Sequence, residues 1–226
     1  MRYKIYTFLT KPVVVITIIC ISAILTYLTG GLGYIFGIIV ALTAFFCSKF
    51  NWIEFGIGKL NWGKTLIRAF LFAILIFILM DIIIQPFVEL YWGSIDISQL
   101  DGIRGNLVNY LMFIVFMWIV AAFGEEFLYR GFFMKRLAEI LGGNDRDWLI
   151  SAVAISILFG MAHLYQGISG IITTGLIGFI LAIIFYKNRE NLTLNILTHG
   201  IYDMIGITLI FLDRERMFVD WVLQYV

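Results

Sequence analysis

A chain of 226 residues that is 62% hydrophobic and only 14% charged lies far from a soluble domain, in which about 25% of residues are charged. Several apolar runs reach the ~20 residues needed to cross a bilayer as a helix, so the expected fold class is all-α: a polytopic transmembrane helical bundle of about seven membrane spans plus interfacial helices. A net charge of +1 leaves no basic excess for a nucleic-acid partner, and Cys20 and Cys47, each inside an apolar run, exclude a disulfide framework or a CxxC metal site.

In chain order, the first span covers about Pro12 to Thr29 and the second Gly33 to Cys47, joined by a turn in "TGGLG". No small-x-small cleavage site follows the first run and a second span comes at once, so it is read as a membrane helix and not a signal peptide. "KFNWIEFGIGKLNWGK" (49–64) is too polar to span, and its interleaved aromatics and lysines predict a segment lying at the headgroups. The third span runs from about Leu66 to Phe87, and a polar loop follows it. A fourth helix begins near Leu107 and has no proline to stop it before about Leu141. After "GGNDRD" come spans over Trp148 to His163, Ile168 to Tyr186 and Leu192 to Phe211, then an amphipathic tail. No internal repeat or low-complexity linker divides residues 1–226, which read as a single integral membrane domain.

Basic residues fall on one side of this arrangement: Arg2, Lys4, Lys11, Lys49, Lys59, Lys64, Lys135, Arg136, Arg146, Lys187 and Arg189. The other side has Glu89, Asp96 and Asp101 against Arg104. The bias places the N-terminus and the basic loops in the cytoplasm.

Ionisable groups inside a membrane are functional candidates, because each costs roughly 2.5–3.5 kcal/mol or more at a helix centre. Those within the spans are Asp81, Glu125, Glu126, Arg130, His163, His199 and Asp203. Glu125 lies about 17 residues before Gly142, and His163 about 16 after Asp147; at ~1.5 Å per residue the two stand at similar height on an antiparallel hairpin. Asp203 shares a helix face with His199 at i+4. Glu126 and Arg130 are spaced i,i+4 with the acid first, the favourable order for an ion pair, which leaves Glu125 on another face. Asp81 is expected to contact Gln85.

A carboxylate and an imidazole meeting in a partly dry cavity can activate water, the carboxylate as general base and the imidazole as orienting group. A second imidazole on another helix can stabilise an oxyanion. The reaction such a constellation suits is peptide hydrolysis within the membrane.

Three motifs carry a family resemblance: "EEFLYR" (125–130) reads EExxxR, "FGMAH" (159–163) reads FxxxH, and "HGIYD" (199–203) reads HxxxD, in that order. The chain resembles the CPBP family of CAAX proteases and bacteriocin-processing enzymes, also called Abi proteins, over about residues 105–212, which would form the catalytic core. The resemblance implies an intramembrane, glutamate-dependent endopeptidase acting without a cofactor, near the cytoplasmic face, on a peptide or membrane-protein substrate, in the lipid bilayer of a bacterial cell membrane. It implies that Glu125 and His163 activate water, that His199 and the residue at 203 stabilise the oxyanion, and that Glu126 and Arg130 support them. The CAAX-processing branch typically has Asn where this chain has Asp203. A rival reading makes Glu125, His163 and His199 zinc ligands, since imidazole and carboxylate suit that metal. Another makes the chain a non-catalytic membrane protein for bacteriocin self-immunity or regulation, and a third a transporter, for which repeated discontinuous halves are missing.

Overall fold

Four helices begin on an asparagine whose side-chain oxygen accepts the backbone N–H three residues on: Asn61 from Lys64, Asn106 from Asn109, Asn144 from Asp147, and Asn191 from Leu194. These caps punctuate an otherwise apolar sequence. The computed structural model describes residues 1–225. Its helices are α1 (Arg2–Leu9), α2 (Pro12–Thr29), α3 (Gly31–Cys47), α4 (Trp62–Trp92), α5 (Leu107–Leu141), α6 (Asp145–Met161), α7 (Gly167–Lys187), α8 (Leu192–Phe211) and α9 (Met217–Leu223). Pro12 opens α2, where its missing N–H costs nothing.

The seven expected spans correspond to α2 through α8. Five of these, α2, α4, α5, the run Leu164–Lys187 that contains α7, and α8, are long and apolar enough to cross a membrane on their own. α3 and α6 have 17 residues each, at the short end of the spanning range. Outward-facing Ile16, Ile24, Ile67, Phe70, Leu71 and Leu75 are all exposed, a surface that suits lipid and not water.

Both long helices change their winding midway. Ile78–Ile84 of α4 and Trp118–Met134 of α5 are π-wound, as where Lys135 N–H reaches Arg130 O five residues back. Such widened turns are rare and gather at functional sites. Here they coincide with the acidic residues inside the bundle, Asp81 in α4 and Glu125 and Glu126 in α5.

The segment expected to lie at the headgroups does more than that. In the tight turn Trp52–Phe55, Phe55 is fully buried, stacked on Phe127 of α5 at 4.7 Å between ring centroids. Glu54 accepts from Arg136 Nη2 and from the Tyr6 hydroxyl, both at 2.8 Å. The chain then runs beside the loop before α8: Leu192 N–H donates to Gly56 O and Gly58 N–H to Glu190 O, each at 2.8 Å. Gly56 has φ +80°, and a Cβ there would lie 2.7 Å from the Phe185 ring, so the strap needs glycine at this position. It pins the start of α8, the helix that carries His199 and Asp203.

Candidate active site

Glu126 is fully buried and its carboxylate is saturated. Oε1 accepts from Arg130 Nη1 at 2.7 Å and faces His199 Nδ1 at 2.9 Å; Oε2 accepts from Asn195 Nδ2 at 3.2 Å. The expected Glu126–Arg130 pair is present, and it anchors far more than its own helix. Arg130 extends to α7 by donating Nη2–H to Gly178 O at 2.8 Å, and its guanidinium lies 4.7 Å from the Phe159 ring centre. That approach depends on Gly178, where a Cβ would come within 2.8 Å of the Phe159 ring. A single buried ion pair therefore ties α5, α7 and α8 together through directed bonds.

His199 is bracketed by carboxylates. Nδ1 meets Glu126, and Nε2 stands 3.4 Å from Asp203 Oδ2, one helical turn on. Asn195, one turn before His199, occupies the same face of α8, so α8 presents Asn195, His199 and Asp203 in a row. On the neighbouring face Gly200 lets the Trp118 ring approach α8, since a Cβ there would sit 2.4 Å from it.

His163 lies just past the end of α6 and not within a helix as the sequence suggested, because α6 stops at Met161. Its backbone N–H turns to Gly160 O, and its ring Nδ1 takes the vacated i−4 position, 2.9 Å from Phe159 O. A carbonyl oxygen only accepts, so Nδ1 carries the proton and Nε2 is the free, basic nitrogen of the neutral ring. The Phe159 ring lies between the two imidazoles, 5.1 Å from His163 and 6.2 Å from His199 between centroids.

Glu125, unlike its neighbour, makes no hydrogen bond among the described residues. It lines a cavity of about 450 Å³ together with His163, His199, Asp203, Asp81 and Tyr202. Glu125 and His163 both line this cavity, without a direct bond between them. Behind Glu125 the backbone is held from α3: Tyr34 donates to Val120 O at 2.9 Å and packs on Gly124, where a Cβ would fall 2.2 Å from the phenol oxygen.

One contact differs from the sequence reading. Asp81 accepts from the Tyr202 hydroxyl at 2.9 Å, while Gln85 donates to Glu89 at 2.8 Å. Gln85 has acidic residues one turn away in both directions, and spacing does not say which one it takes. The cavity's lining also includes Ile97, Leu100, Arg104 and Arg216.

Among the described residues no three His, Cys, Asp or Glu side chains are gathered as a metal-ligand group. Both ring nitrogens of His199 face carboxylates, Nδ1 more closely than Nε2.

The end of α5 beside the basic loops is held separately. Arg136 bonds Glu54 and Glu139, at 2.8 and 2.7 Å, and the hydrogen bond from Arg136 holds the Glu54 carboxyl below its ordinary range.

Comparison with curated proteins and with solved structures gives no match for this chain. Residues 107–205, which run from the start of α5 past Asp203, match the family model described as type II CAAX prenyl endopeptidase Rce1-like. All three motifs lie within that segment, which is similar to the Rce1-like family of CAAX proteases.

Proposed function

We propose that the protein is a glutamate-dependent intramembrane endopeptidase in which Glu125 is the general base. The observation that carries this reading is the contrast between adjacent glutamates. Glu126 has every oxygen engaged in holding Arg130, His199 and Asn195, whereas Glu125 is unbonded and faces a cavity shared with His163.

Cleavage consumes one water. Glu125 takes a proton from it while the free Nε2 of His163 accepts a hydrogen bond from its other O–H, orienting the oxygen toward the scissile carbonyl carbon. As the C–O bond forms, the carbonyl electron pair moves to its oxygen. His199, carrying both ring protons in this step, donates Nε2–H to that oxyanion while Nδ1–H stays on Glu126. Asp203 orients the ring, and as an ionised carboxylate it only accepts. Glu125 then passes its proton to the departing nitrogen, the C–N bond breaks, and a carboxyl and an amine terminus result. No step uses a metal.

The test is Glu125→Gln beside Glu126→Gln, with peptides from cell membranes compared by mass spectrometry. Glu125→Gln is expected to leave the fold intact and cut cleavage by about a hundred- to ten-thousand-fold, the usual share of a general base. Retained cleavage in a folded Glu125→Gln protein would overturn the assignment. A phenotype that survives the change would support a binding role in immunity or regulation. Chelators are expected to leave the rate unchanged; one equivalent of bound zinc, with activity lost on its removal, would replace this scheme with the zinc reading.

A further inference from the structure

Of the ionisable groups within the spans, Asp81 is the one for which the cleavage scheme has no use. It lies in the π-wound stretch Ile78–Ile84 of α4, outside the segment 107–205 that matches the family model. It nonetheless lines the same cavity as Glu125, His163, His199 and Asp203. Packing does not require a carboxylate there. Ile76 and Met80, 2% and 1% exposed, join Ile177 and Leu181 of α7 and Leu194 of α8 in one apolar cluster that already seals α4 against its neighbours. A carboxylate inside a span and a widened helical turn are both unfavourable in themselves, and both gather at functional sites.

Asp81 Oδ2 accepts from the Tyr202 hydroxyl at 2.9 Å, its one side-chain hydrogen bond among the described residues. Tyr202 is three residues beyond His199 and Asp203 is four, so one turn on they flank the His199 direction, about 60° to one side and about 40° to the other. Asp203 Oδ2 stands 3.4 Å from His199 Nε2, long for a hydrogen bond to nitrogen, and a small rotation of α8 would tighten or break it. Glu126 meets the other ring nitrogen at 2.9 Å but does not reach the turn that follows. On that turn Met204 accepts from Trp118 Nε1 at 3.3 Å, through a sulfur that is a weak acceptor. Further along, Thr208 meets Tyr110 at 3.0 Å. The strong bond at the height of Asp203 is the one from Tyr202 to α4.

We infer that Asp81 and Tyr202 are a positioning pair: through the phenol, α4 sets the rotation of α8 that keeps Asp203 against Nε2 of His199, and so aims that imidazole. The use made of the imidazole in cleavage rests on the proteolytic reading above; the coupling from α4 to the ring does not. What the pair asks of residue 81 is an acceptor for the phenol proton, and a neutral amide oxygen fills that role as well as a carboxylate. Asp81→Asn therefore keeps the bond, Asp81→Leu removes the acceptor, and Tyr202→Phe removes the donor while leaving the ring in place.

The chain has only two histidines, so nitrogen NMR of the detergent-solubilised full chain, labelled on histidine, resolves each imidazole, and the signals lost in His163→Gln assign the rest to His199. Tyr202→Phe and Asp81→Leu are expected to move the His199 Nε2 resonance in the same direction and to leave that of His163 in place. The double variant should move it no further than either single change, as for two residues acting through one bond, and Asp81→Asn should leave it where it is in the unaltered chain. Cleavages that depend on Glu125 should slow in the same two variants, by up to about a hundred-fold, and recover in Asp81→Asn. A His199 resonance unmoved in folded Tyr202→Phe would overturn the coupling, even if the unfolding temperature falls. A shift that Asp81→Asn shares would assign the effect to the charge of Asp81 and overturn the pair. Should Asp81→Leu fail to fold, Tyr202→Phe, which deletes a single oxygen, and Asp81→Asn still decide between these outcomes. A shift with cleavage at the full rate would overturn the role in the reaction. The expected shifts, with no cleavage depending on Glu125 in any sample, would uphold the coupling and refute the proteolytic reading.

Discussion

Glu126 and Arg130 have side-chain exposures of 0% and 1%, and charges buried so completely are tolerable only as long as each keeps the other. Arg130→Met retains volume but leaves the carboxylate with His199 and Asn195 alone. A loss of about 3–5 kcal/mol is expected, as for other buried pairs broken on one side, read as a fall in the unfolding temperature of the detergent-solubilised protein. An unchanged unfolding temperature would show that the pair does not hold the helices. The i,i+4 spacing made this pair legible in the sequence, along with the separation of Glu125 from it. The contacts from Glu126 to His199 and Asn195 were not legible, because they join positions about 70 residues apart whose meeting depends on how α8 is placed. The spacing of Asn195 and His199, one turn apart, was the available signal. The Asp81–Tyr202 bond left none, since Gln85 offered an equally good local partner.

α8 is set in place by a strap that belongs to another part of the chain. Gly56→Ala is expected to destabilise the fold on two counts: φ +80° is strained for a residue with a Cβ, and that Cβ would press on Phe185 at 2.7 Å. Overpacking of this kind typically costs about 1–3 kcal/mol. It should appear as a lowered unfolding temperature together with faster hydrogen exchange at the start of α8, and normal exchange there would separate the strap from the placement of His199. The asparagine caps and Pro12 made the helix starts readable, because capping is a local bond with a fixed offset. The burial of Phe55 was hidden, since a segment with three lysines and two tryptophans has the composition of a surface. The π-winding of α4 and α5 was hidden too: it is the backbone's response to packing on several sides, and apolar periodicity is too coarse to register one extra residue per turn.

For the molecule as a whole, hydropathy and charge bias were enough to give a bundle with a basic end, because both act through the bilayer and not through particular contacts. The basic end contributes its own pH dependence. Glu54 has its carboxyl depressed by Arg136 in the folded state, so its contribution to stability is present above the ordinary glutamate range and is lost as pH falls through the lowered folded value. Between about pH 7 and about pH 3, the unfolding temperature of Glu54→Gln is expected to fall less than that of the unaltered chain. An identical pH profile for the two would remove Glu54 from the account. Activity should be a poor reporter of this effect, as Glu54 and the cavity lie at opposite ends of α5.

The wide winding of Trp118–Met134 bears on how such a chain tolerates change in length. An i→i−5 turn encloses one residue more than an α-turn, so this stretch holds surplus residues within a helix that is otherwise regular. Gaining or losing a residue upstream of Glu125 can be taken up by the number of wide turns, and does not have to rotate everything that follows. Glu126 and Arg130 keep their separation of four whatever happens before them. The helix that carries the proposed base can therefore drift in length on its N-terminal side while its grip on α7 and α8 stays in register.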